Sequence, residues 1–182
     1  MLKLTKTIRR FYMESSAYVK KEAPVVFLDI TTAKGSDRVE ILLHEHINPE
    51  SSQNFLKMCE GFKTKDGKKV SYKGKKFVNR LKGFFMETEE INDTIYGPEG
   101  YMNESYSQFS RPWLVGVSSH GDPENELSAS GFFITLLDLP NLDNNVVVGE
   151  VLKGKEALRE ADREDLEVTI KNCGYKGMEK LE

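Results

Sequence analysis

The feature that most restricts this chain is a succession of short β-branched and aromatic runs, each closed by turn residues. Val25–Ile30 and Arg38–Leu43 flank Lys34-Gly35-Ser36-Asp37, a hairpin signature. Further runs follow at Lys76–Leu81, Phe84–Glu87, Trp113–Ser118, Gly131–Leu137, Val146–Val151 and Leu166–Cys173. In the body of the chain two stretches carry helical spacing: 49–60, opened by Asn48-Pro49 and ended by Gly61, and Lys155–Arg163. About eight strands and two helices in 182 residues make one domain. Closing those strands into a barrel is the economical way to hide their edges.

Composition removes several other classes. With 38% hydrophobic and 30% charged residues, the chain has a soluble globular make-up and is neither disordered nor collagenous. No apolar run approaches the roughly 18–20 residues of a membrane helix, so no membrane span is expected. Cys59 and Cys173 fit no zinc spacing and no secreted disulfide framework, and read as buried free thiols. His44 and His46 share one strand face without a third ligand, so no metal site is assigned. The acidic run Glu87–Asp93 lacks the register of a calcium loop. No nucleophile elbow and no phosphate-binding glycine loop is present.

A set of ordered pieces then points to a family. Phe27-Leu28-Asp29-Ile30 and Arg38-Val39 come first, followed by Pro49 and Asn54-Phe55. Tyr72-Lys73-Gly74, Phe77, Gly83-Phe84 and Ile95-Tyr96-Gly97 come next. Ser130, Phe132-Phe133-Ile134, Leu142-Asp143, Val147-Val148-Gly149 and Ile170-Lys171-Asn172-Cys173-Gly174 complete the set. In this order and at these spacings the chain resembles a cyclophilin from about Pro24 to Tyr175. The resemblance implies a mainly β fold, an eight-stranded antiparallel cyclophilin-like barrel capped by two α-helices. It divides the chain into a basic arm at 1–23, the domain at 24–175 and a tail at 176–182.

The activity the resemblance implies is peptidyl-prolyl cis/trans isomerisation, which needs no metal and no cofactor. Resonance across the X–Pro bond sets a barrier of about 18–20 kcal/mol. In cyclophilins an arginine aimed at the prolyl amide favours the transition state, while a glutamine and backbone groups hold the carbonyl side. Aligned without a gap on Phe77 and Gly83-Phe84, the arginine's position here is Asn79. Arg80 is one residue along, and alternation along a strand sends it to the opposite side unless a bulge intervenes. The family's two glutamines correspond to Glu87 and Gly131, its tryptophan to Asn141 and its histidine to Asn145. Phe84, Phe85, Phe133 and Leu142 keep the apolar floor, with Ser118 at a wall position. The expectation is a degenerate peptide groove with no catalytic residue.

Charge is divided along the chain. Residues 1–21 carry a balance of +5, residues 56–82 one of +8, and residues 87–182 one of −12. Such polarity suits docking among other macromolecules. The opening Met1–Lys21 has Lys3, Lys6, Arg9 and Arg10 beside apolar residues that share a helical face, the make-up of a mitochondrial presequence. A retained docking extension is the alternative. The expected role is a structural or scaffolding subunit of a larger, mitochondrial assembly, held through the arm and the 56–82 loop. A slow isomerase or proline-peptide binder is the competing reading. RNA or anionic lipid on the basic loop is the weakest, since few aromatics stand ready to stack on bases.

Overall fold

The computed structural model describes residues 22–102, 104, 109–119, 127–139, 142 and 145–181. The docking residues Lys3, Lys6, Arg9 and Arg10, and Asn141, lie outside them. The strands are β1 (Glu22–Thr32), β2 (Gly35–Leu43), β3 (Phe62–Lys63), β4 (Lys69–Val70), β5 (Lys76–Leu81) and β6 (Phe85–Thr88). They continue with β7 (Tyr101–Met102), β8 (Leu114–Ser119), β9 (Leu127–Thr135), β10 (Val146–Lys153) and β11 (Val168–Lys180). Helix α1 is Pro49–Glu60 and α2 is Lys155–Arg163.

Hydrogen bonding runs β6-β5-β11-β1-β2-β10-β8-β9, and a further β6–β9 pairing closes the ring. Eight antiparallel strands thus form a closed barrel with no open edge in its wall. Strand β7 adds to the start of β9, and β3–β4 stands apart as a small hairpin.

Alternation along β1 and β2 sends Val26, Leu28, Ile30, Val39, Ile41 and Leu43 inward, all at most 1% exposed. Phe132 is the aromatic hub of the core. Its ring centroid lies 5.0 Å from Phe55, 4.9 Å from Tyr72 and 5.6 Å from Phe77. Edge-to-face pairs of this kind contribute roughly 0.5–1.5 kcal/mol each beyond burial. Helix α1 covers one end with Phe55, Met58 and Cys59, and α2 contributes Leu158 and Ala161. Burial pushes the Cys59 thiol well above its ordinary value, which leaves it an inert packing group.

The start of α1 uses an unexpected partner. The Asn48 side chain turns away and donates to the Val147 carbonyl at 2.9 Å. The Glu104 carboxylate instead accepts the backbone N–H groups of Glu50 and Ser51, at 2.8 and 2.7 Å. A carboxylate placed there satisfies orphan donors and complements the helix dipole.

Strand boundaries differ from the sequence pattern in three places. The first hairpin turns on Ala33-Lys34, with Thr32 opposite Gly35, so Gly35 already belongs to β2. Strand β9 spans Leu127–Thr135, earlier than the apolar run at 131–137. Its end is set by Leu136, whose N–H donates to the Phe84 carbonyl at 2.7 Å.

The last strand starts at Val168 and runs on to Lys180, well past Cys173, so residues 176–180 are strand where the sequence pattern suggests a tail. A register shift between Val25 and Val26, opposite Tyr175 and Gly177, absorbs Lys176 as an extra residue. Lys176 then reaches Glu40 at 2.7 Å, and Lys153 reaches the same oxygen at 3.2 Å.

Candidate functional site

Strand β5 decides the character of the site. Phe77 pairs with Thr88 and Asn79 with Glu87, so Val78 is an extra residue in a bulge. After the bulge, alternation resumes: Asn79 and Glu87 share the outer face, while Arg80 and Met86 share the inner one. Met86 is fully buried. Arg80 therefore points away from Asn79, toward the end of α2.

There its guanidinium makes three hydrogen bonds. Nη1 donates to the Ala161 carbonyl and to Asp165 Oδ1, both at 3.0 Å. Nη2 donates to the Leu166 carbonyl at 2.7 Å. A cation on the last carbonyls of a helix satisfies acceptors the helix cannot and opposes its dipole favourably. Asp162 completes the clamp by accepting the Gly83 N–H at 2.9 Å. Arg80 ties the β5–β6 hairpin to α2.

On the outer face the polar residues form one short chain. Asn79 Nδ2 donates to Glu87 Oε2 at 3.2 Å, and Ser118 Oγ donates to Glu87 Oε1 at 2.8 Å. Glu87 is half-buried and has no Lys or Arg partner among the described residues. Gly131 lies beside this chain: a Cβ there would stand 3.3 Å from Ser118 Oγ and 3.5 Å from the Glu89 carbonyl.

Next to the polar chain is an apolar cluster. Phe133 meets Phe85 edge-on at 6.1 Å and Phe109 at 5.3 Å, with Leu114 and Val147 completing the buried part. Leu139 and Leu142 pack against it. The structure thus joins Phe85, Phe133 and Leu142. Phe84 is outside that cluster, 42% exposed at the hairpin turn. Asn145 turns back on its own loop, its Nδ2 donating to the Leu142 carbonyl at 3.4 Å.

Sequence reasoning overlooks Phe109 and the glycine that admits it. A Cβ on Gly116 would fall 2.3 Å from the tip of Phe133 and 2.7 Å from that of Phe109. The available signal is a glycine inside the apolar run Leu114–Val117, which marks close approach by another group.

Chemically, the polar chain offers a fixed carboxylate and two neutral donors already bonded to it. A carboxylate accepts hydrogen bonds and cannot supply the cationic donor that an isomerising amide nitrogen calls for. Elsewhere, His44 is 3.8 Å from Glu150, and its ring is 6.1 Å from that of His46. Burial lowers the His44 imidazole from its ordinary value, with Glu150 opposing. Among the described residues no three His, Cys, Asp or Glu side chains gather as a metal site. No helix among them is long and apolar enough to cross a membrane.

Comparison of the sequence with known proteins agrees with this closed eight-stranded barrel and its two helices. The family model for cyclophilin type peptidyl-prolyl cis-trans isomerase/CLD matches residues 27–175. The chain is 32% identical over 173 residues to Peptidyl-prolyl cis-trans isomerase D of Kluyveromyces lactis. That match covers 83% of this chain and 45% of the yeast protein, so the chain spans a little under half of that relative's length. The chain belongs to the cyclophilin-type peptidyl-prolyl cis-trans isomerase family.

Proposed function

We propose that this cyclophilin-fold protein lacks isomerase activity and serves as a structural subunit of a larger assembly, in the mitochondrion. The observation that carries the first half is the division of labour on β5. Asn79 occupies the outer position and bonds Glu87, while the neighbouring guanidinium of Arg80 is spent on the carbonyls at the end of α2. A cation held by two carbonyls and a carboxylate is not available to a substrate amide. Docking rests on the basic arm, with Lys3, Lys6, Arg9 and Arg10, and on the basic 56–82 stretch. Separate basic and acidic surfaces favour oriented association with other proteins.

A second reading, a slow isomerase or proline-peptide binder, draws on the apolar cluster of Phe85, Phe133 and Leu142 and on the printed name of the yeast relative. A protease-coupled assay on a proline peptide separates the two. The first reading expects no acceleration over the uncatalysed exchange. Turnover within about tenfold of an ordinary cyclophilin, about 1.4 kcal/mol in barrier, overturns it.

A further inference from the structure

A second concavity lies away from the groove, between the end of α1 and the β3–β4 hairpin. It has a volume of about 750 Å³ and is lined by Lys63, Lys68, Lys69, Lys73 and Lys75, with Glu60 and Asp93 as its acidic groups. Both carboxylates are already taken: Lys68 holds Asp93, and Lys57 holds Glu60 at 2.7 Å. Lys75 reaches Glu89 at 3.8 Å. Lys63, Lys69 and Lys73 are left with no carboxylate among the described residues.

The hairpin makes this imbalance sharper. Its only two pairs are Phe62 opposite Val70 and Lys63 opposite Lys69. Like charges directly across a ladder are destabilising, and no carboxylate among the described residues pairs with either lysine. Asp66, in the turn, is bonded instead to Thr64, which holds its carboxyl below the ordinary range. The free protein therefore keeps an unfavourable lysine pair on the wall of a cavity large enough for a ligand.

We propose that this basin is the docking site for an acidic segment of a partner protein, whose carboxylates pair with Lys63, Lys69 and Lys73. The proposal rests on the docking half of the function above and is independent of isomerase loss. The lining favours carboxylates over other anions. It has no arginine and no helix N-terminus to cradle a phosphate. Its one ring, Phe62, is half-buried, which leaves no platform for stacked bases. Glu60 and Asp93 also interrupt the positive wall, so separated single charges fit it better than a continuous phosphate backbone.

The test titrates the full chain with a fluorescent ten-residue peptide alternating Glu and Leu. Binding should weaken with added salt and fall about tenfold or more in Lys69→Glu. The same substitution should raise the thermal midpoint of the free protein, because it replaces a repulsive cross-strand pair by an attractive one. Loss of affinity together with gain of stability is the signature expected. Equal binding by wild type and Lys69→Glu overturns the proposal. So does displacement of the peptide by inorganic phosphate, or by a single-stranded RNA, at concentrations below its own. If Lys69→Glu still co-purifies with the wild-type set of partners, docking stands and the basin is not its contact.

Discussion

The two walls of the barrel are built differently. On one side β1, with 11 residues, lies between β2 and the 13-residue β11. Their inward side chains pack, and their outward ones pair locally, as Arg38 does with Asp29. On the other side β5 and β6, with six and four residues, close the ring against β9. Among their inward residues Phe77, Met86 and Thr88 are buried in the core. Their outward polar residues, Asn79 and Glu87, form a short chain with Ser118, beside the apolar cluster that Phe85 joins. Packing constrains both faces of the first wall; on the second it constrains the interior and the Phe85 cluster, and leaves Asn79 and Glu87 outside both. A change at Asn79 or Glu87 touches none of that packed interior.

The largest effect expected from breaking this comparison is at the shared interior. Phe132→Ala removes the ring that touches Phe55, Tyr72 and Phe77 and should cost about 3–5 kcal/mol, read from urea unfolding. A loss under about 1 kcal/mol would mean that the closing wall is not packed as described.

Arg80→Ala comes next. It frees the Ala161 and Leu166 carbonyls of their charged donor and should cost about 2 kcal/mol. Asn79→Ala, one residue away on the outer face, should cost no more than about 0.5 kcal/mol. Equal losses at the two positions would remove the distinction between the faces of β5.

On the long wall the expected effect is also small and depends on pH. Lys176, and then Lys153, hold the Glu40 carboxyl below its ordinary value near 4.5. A depressed carboxyl stabilises the fold above its unfolded value, and that contribution disappears as pH falls through the folded one. Glu40→Gln should therefore lower stability at pH 7 by about 0.5–1 kcal/mol, and the difference should shrink as pH falls below the ordinary carboxylate range. A constant difference across pH 3–7 would show that the Lys176 contact does not pin the end of β11.

The long wall was the easier one to read from sequence. Its inward residues fall at alternate positions, Val26, Leu28 and Ile30 on one strand and Val39, Ile41 and Leu43 on the next, and both helices announce themselves through Pro49, Gly61 and the Lys155–Arg163 spacing. The end of β11 was not legible, because Gly174 and Gly177 break the pattern and only the partner strand β1 shows why pairing continues. On the site face, alternation counted from Phe77 alone would turn Asn79 inward, and it is the bulge at Val78 that turns it outward. What Arg80 does could not be seen from sequence, since its acceptors are 81 and 86 residues away. Phe109 was hidden for a related reason: it enters from a loop with no periodic pattern, and only Gly116 marks its place.

The most direct measurement of the central claim is cis/trans exchange of an Ala-Pro peptide by NMR, with wild type and Arg80→Ala side by side at a temperature where both are folded. The account predicts exchange at the uncatalysed rate, tens to hundreds of seconds, for both proteins. Catalysed exchange by wild type that vanishes in Arg80→Ala would contradict it, because the guanidinium would then leave α2 to act in the groove.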